Sequence, residues 1–218
     1  MQTVKMFRDG VAQVVKPGLV AMLGLVAVPG LVAAVLVVGW ASRAEAQGAP
    51  EELQTPTSET AVWRWQADGL RFETAALPPD RVRSFMAARG FGEAARDLVI
   101  DEGCIFRSAI GNLSSTPGAP QITLDQREWR VFVNGEVRRL RMRPDWPAVW
   151  DRLNVAKSPR VAFNWALFPP QQRFAPVDYN WGLLSFGLQP GTRFDVEIVW
   201  REGDQRRTAR FENLECAK

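Results

Sequence analysis

Polar and apolar positions alternate through much of residues 61–218, and strict alternation marks a strand with one buried face. Val62-Trp63-Arg64-Trp65 predicts a first strand, and Leu70-Arg71-Phe72-Glu73 a second after a turn at Ala67-Asp68-Gly69. The period then lengthens. Pro78-Pro79-Asp80 opens a stretch in which Val82, Phe85 and Met86 share a helical face, Gly90 suits its C-terminal cap, and residues 93–100 continue as a second short helix. This helical insert, residues 80–100, is expected across one end of the sheet. Cys104 then opens another strand, which ends in the loop 114–120.

Asn134-Gly135 predicts a two-residue type I′ hairpin, with Val133 facing Glu136, Val131 facing Arg138, Trp129 facing Leu140 and Glu128 facing Arg141. One face would carry Trp129, Val131, Val133, Leu140 and Met142 into a core. The other would gather Arg130, Arg139, Arg141 and Arg143 with Glu128 around Phe132 and Val137. Four guanidinium forks on one face suit an acidic partner or an anionic ligand. A solvated outer face explains the same pattern without any partner.

After a short helix at residues 145–153, the pattern again predicts strands. Val161, Phe163, Trp165 and Leu167 alternate, as do Phe194, Val196, Ile198 and Trp200, with Asp195 and Glu197 on the wet side. A turn around Gly203 leads to a closing strand through Ala209 and Phe211. Between them lies a proline-rich loop, residues 168–176, whose Phe168 and Phe174 are either contact residues or a satellite cluster tucked beneath it. Phe163-Asn164-Trp165-Ala166-Leu167 is echoed by Tyr179-Asn180-Trp181-Gly182-Leu183, too short for a repeat. The expected fold is therefore mainly β: an antiparallel immunoglobulin-like β-sandwich with a short helical insert, residues 61–218.

Ahead of that domain stands a different pattern. The 22 residues 19–40, from Leu19 to Trp40, carry no charge and are long enough to cross a hydrocarbon core of about 30 Å as one helix. Lys5, Arg8 and Lys16 precede the segment and Glu45, Glu51 and Glu52 follow it, so residues 1–18 are expected in the cytoplasm and the domain outside. Residues 41–60 read as a tether. The competing reading is a cleaved signal peptide, since Ala44-Glu45-Ala46 has the small-x-small form of a cleavage site. Both readings export the domain. The composition, rich in Ala, Gly, Pro and Arg, fits a bacterial chain, so the expected location is the bacterial inner membrane, single-pass, with a periplasmic domain. Membrane lipid contacts residues 19–40.

In such a compartment thiols pair, and Cys104 with Cys216 are the only cysteines of the chain, so a disulfide between them is expected. The charge of the whole chain, 27 Lys and Arg against 24 Asp and Glu, is nearly balanced once the residues before Gln47 are set aside. That leaves no general basic excess to point to nucleic acid as a partner.

The chemistry is bounded by an absence: the sequence contains no histidine. Ser-His-Asp triads, Cys-His pairs, His-based zinc or copper sites and haem attachment are excluded, and neither glycine-rich nucleotide cradle is present. Asp101-Glu102 and Glu202 with Asp204 are nominal carboxylate pairs beside turns or helix ends. No catalytic residue, metal site or cofactor is expected. Of the eight tryptophans beyond Trp40, Trp129, Trp165 and Trp200 fall in alternating core registers and Trp146 with Trp150 at helical spacing. Trp63, Trp65 and Trp181 stay open for stacking on a ligand. The expected function is a non-catalytic membrane-anchored periplasmic subunit or docking factor of a larger envelope complex. Its protein partner would be met by Arg130, Arg139, Arg141, Arg143, Phe168, Phe174, Tyr179 or Trp181. The alternative is a periplasmic binding module for a sugar or small anion.

Overall fold

The computed structural model describes residues 51–53 and 61–218, so the apolar segment 19–40 and most of the tether lie outside the described residues. Among the described residues no helix is long and apolar enough to cross a membrane. The architecture is mainly β, with two antiparallel sheets and a set of short helices.

The first sheet is a meander extended by a later strand. β1 (Glu51–Leu53), β2 (Val62–Ala67), β3 (Leu70–Ala76) and β4 (Ile105–Asn112) follow one another, and β9 (Tyr179–Ser185) pairs with β4. The Asp68-Gly69 turn that joins β2 to β3 has positive φ at both residues, as its sequence predicts. The second sheet has the order β7 (Glu136–Arg138), β6 (Arg130–Val133), β10 (Arg193–Glu202), β5 (Ile122–Asp125) and β8 (Gln171–Phe174), with β11 (Gln205–Glu215) also on β10. β10 turns into β11 through Gly203-Asp204.

Alternation decides the packing of both sheets. Trp63, Trp65, Phe72, Phe106 and Ile110 of the first meet Trp129, Val131, Val196, Ile198, Trp200 and Phe211 of the second in one buried cluster. Rings interlock edge to face, with Phe72 5.1 Å from Phe211 and Trp65 6.3 Å from Trp200 between centroids. Trp129 also donates its Nε1–H to the Val199 carbonyl at 3.0 Å, so its polar edge is satisfied inside the core. The disulfide joins Cys104 to Cys216 with Cα atoms 5.3 Å apart, tying the start of β4 to the end of β11 and so one sheet to the other.

A second cluster lies on the opposite side of the first sheet. Four helices build it: α1 (Pro79–Ala87), α2 (Glu93–Gly103), α3 (Pro147–Arg152) and α4 (Lys157–Ala166). Val82, Met86, Val99, Trp146, Trp150 and Phe163 pack there against Ile105, Leu77 and Leu183. Gly90, at φ +81°, ends α1 as expected, and the Phe91 N–H returns to the Met86 carbonyl. The helical insert thus stands close to its expected limits, with α2 running on to Gly103.

Two sequence expectations are corrected. Residues 161–167 form the end of α4 and the bond that follows it, not a strand. Phe163 and Leu167 are buried at a spacing of four, while Val161 and Trp165 point to solvent, which is helical periodicity read over too short a window as alternation. The hairpin keeps its predicted turn and register, Val133 opposite Glu136 and Val131 opposite Arg138, but the ladder stops there. Trp129 follows a short 3-10 helix at Gln126–Glu128, and residues 139–142 leave the sheet, so Trp129 with Leu140 and Glu128 with Arg141 are not cross-strand pairs.

Candidate functional site

The outer face of the first sheet mixes alanines with charged and large apolar side chains. Across β2, β3, β4 and β9 the register aligns Val62, Ala75, Arg107 and Leu183 in one row and Arg64, Glu73, Ala109 and Trp181 in the next. Helices cover only part of this face. What remains is a groove of about 900 Å³, floored by Ala75 and Ala109 and walled by Phe85 of α1, Arg89 just past its end, Trp165 of α4 and Trp181 of β9.

Gly182 sets the distance between two of those walls. A Cβ there would stand 3.0 Å from the Ala166 carbonyl and 3.5 Å from the Phe168 ring, so any larger residue would push the end of α4 a few tenths of an ångström away from β9. The Phe168 N–H then donates to the Leu183 carbonyl at 3.1 Å, fixing the chain just after α4 along the edge of β9. Trp165 and Trp181 end up lining the same groove, each 77% exposed. Every other described tryptophan packs against another ring; these two have no ring partner among the described residues.

Charge in the groove is uneven. Glu73 accepts from Arg64 at 2.8 Å and from Arg71 at 2.5 Å. Burial pushes its carboxyl up, but the hydrogen bonds and charges of Arg71 and Arg64 outweigh that and hold it below the usual glutamate range. It is therefore an ionised, neutralised group rather than a proton donor. Arg89 lies over the Phe85 ring, 3.6 Å from its centroid, and donates to the Phe85 carbonyl. Arg107 makes no side-chain hydrogen bond or ion pair among the described residues and has Ala75 and Leu183 as its cross-strand neighbours. The Ser108 hydroxyl is taken by Thr74 at 2.7 Å. The lining thus combines two exposed indoles with a guanidinium that has no side-chain partner among the described residues.

The residues singled out from the sequence fare differently. Arg139 is gripped by Asp145, which the Arg139 hydrogen bonds draw below the usual aspartate range. Arg141 reaches Glu102 at 3.4 Å and lies 5.0 Å above the Trp146 ring. Arg143 donates to the Leu167 carbonyl, and burial lowers its pKa. Arg130 alone stays on the exposed face of β6. The structure thus gives each of the four its own surroundings instead of one face, because the strand that would align them ends at Arg138. Phe168 and Phe174 are 2% exposed and belong to the inter-sheet core, so they are not offered to a partner. Trp63 and Trp65 are likewise buried core residues.

Tyr179 and Trp181 remain exposed, and Trp181 reaches the groove. Trp165 is the functional candidate that alternation hid. The helix start at Lys157-Ser158-Pro159, with Phe163 and Leu167 four apart, is the signal that would have turned it outward. Among the described residues no group of three His, Cys, Asp or Glu side chains could hold a metal ion. Compared with models of known protein families, with curated proteins and with solved structures, the chain matches none.

Proposed function

We propose that this chain is a non-catalytic binding module held at the outer face of a bacterial inner membrane by residues 19–40, with the Trp165–Trp181 groove as its contact site. One observation carries the reading: two tryptophans line one groove beside an arginine, and none of the three has a ring partner or counter-ion among the described residues. Solvent gains nothing from such rings, whereas a ligand with a flat apolar face does. The fold that presents them is immunoglobulin-like in its two facing antiparallel sheets and its inter-sheet disulfide, with a strand order of its own. Such sandwiches serve as binding scaffolds without catalytic groups.

A second reading, a docking subunit of a larger envelope complex, is supported by the apolar residues that continue beyond the groove. Leu113, Val177 and Tyr179 are exposed and follow one another at the end of the β4–β9 pair, where the Val177 N–H meets the Ser114 carbonyl. Collisional quenching separates the readings from no function at all. In full-length protein in mild detergent, acrylamide should reach Trp165 and Trp181, and a soluble envelope extract should protect them. No protection would end the binding reading. Protection that survives removal of protein from the extract favours a ligand; protection lost with it favours the docking subunit.

A further inference from the structure

We infer that the groove takes an acidic saccharide, its ring faces stacked on Trp165 and Trp181 and its carboxylate or sulfate held by Arg107. The inference rests on the binding reading above and names the ligand class. Three features of the groove select that class.

The floor offers no side-chain pocket of its own: Ala75, 2% exposed, and half-buried Ala109 carry only methyl groups. The aliphatic wall residues Leu77 and Leu183 are already packed into the helical cluster. A peptide gains affinity by seating side chains in pockets or by adding a strand to an open edge. Both routes are poor here. β9 is the edge strand, but the Trp181 N–H is taken by the Asn180 side chain at 2.9 Å, and the Leu183 carbonyl by Phe168. Flat C–H faces laid on exposed indoles need neither pocket nor edge.

The charge of the groove is complementary to an anion. Its one carboxylate, Glu73, is satisfied by two arginines outside the lining, Arg64 and Arg71, so Arg107 and Arg89 set the local sign. Arg89 is committed to Phe85, which leaves the Arg107 fork to meet an acidic group. Two indoles on different elements fit successive rings of a chain better than a single small anion.

The test uses the full-length protein in mild detergent and follows tryptophan emission and acrylamide quenching. The probes are an oligogalacturonate, a neutral galacto-oligosaccharide of equal length and an oligoglutamate. The oligogalacturonate should bind and protect both indoles, with the neutral sugar weaker by about tenfold or more, the range expected for one charge-assisted contact. Arg107→Gln should reduce the acidic sugar to the level of the neutral one. Trp181→Ala and Trp165→Ala should weaken both, with an unchanged unfolding midpoint showing that the fold is intact. Equal binding of the two sugars would overturn the role of Arg107. Oligoglutamate binding as tightly as the uronate would overturn the saccharide in favour of an acidic peptide. If no sugar binds while the envelope extract still protects the indoles, the saccharide class is wrong and the binding reading stands; if neither protects, both fall.

Discussion

The two faces of the first sheet are built from neighbouring residues of the same strands, yet they follow opposite rules. Inward, Trp63, Trp65, Phe72, Phe106 and Ile110 fill the space between the sheets, and Trp65, Phe72 and Phe106 touch rings from the facing strands. Outward, Glu73, Ala75, Arg107 and Ala109 line a groove that two exposed tryptophans overlook. One face uses large apolar side chains to exclude water, and the other sets charged groups and two alanines beside an open groove. Stability should therefore be concentrated on the inner side and recognition on the outer, and that division can be broken by experiment.

The largest effect is expected at the covalent tie of the inner side. Cys104 and Cys216 are 112 positions apart, and opening a loop of that size costs about 4 to 5 kcal/mol in the loop-entropy account. Denaturant unfolding of the Cys104→Ser, Cys216→Ser protein should show a loss of that order, matched by the wild type under reductant. A loss below about 1 kcal/mol would mean that the aromatic packing alone holds the sheets together.

The same contrast explains what could be read from the sequence. The inner face was legible because burial demands strict alternation: β2, β3 and β10, the Asn134-Gly135 turn and the cysteine pair are all where their patterns place them. The outer face was not, because its meaning depends on what covers it. Trp165 carries the same local pattern as Trp181, aromatic-Asn-Trp-small-Leu, and one lies on a helix and the other on a strand. Five residues fit both periods, and the neighbours in space decide. The four arginines failed for a related reason. Their common face required the hairpin to run past Arg138, and the chain instead turns so that Asp145 caps Met142 and grips Arg139.

A smaller effect should come from the outer face itself, at Glu73. The group's pKa lies below its ordinary value in the folded protein: burial raises it, and Arg71 with Arg64 more than reverse that. A depressed carboxylate stabilises the fold above its unfolded pKa and loses that contribution as pH falls through the folded value. Glu73→Gln should therefore cost about 0.5 to 1 kcal/mol at neutral pH, the modest size expected because both guanidiniums stay partly wet. The difference between variant and wild type should shrink as pH drops below the ordinary glutamate range. A gap that is constant from pH 7 to strongly acidic solution would show that Glu73 acts by packing rather than by charge.

The smallest stability effect should come from the largest side chains on the outer side, and that is what sharpens the comparison most. Removing a buried tryptophan or phenylalanine ring costs about 3 to 5 kcal/mol, because both transfer and cavity terms are lost. Trp165 and Trp181 leave most of their surface in water and close no cavity, so Trp165→Ala and Trp181→Ala should each change stability by no more than about 0.5 kcal/mol. Phe72→Ala, on the inner face of the same sheet, supplies the contrast at the full core cost. If Trp165→Ala instead unfolds the protein as readily, its ring is a lid on the helical cluster around Phe163 and its place in the groove is structural. A small change in midpoint, joined to loss of ligand protection, leaves recognition as the reason two such rings stand in solvent.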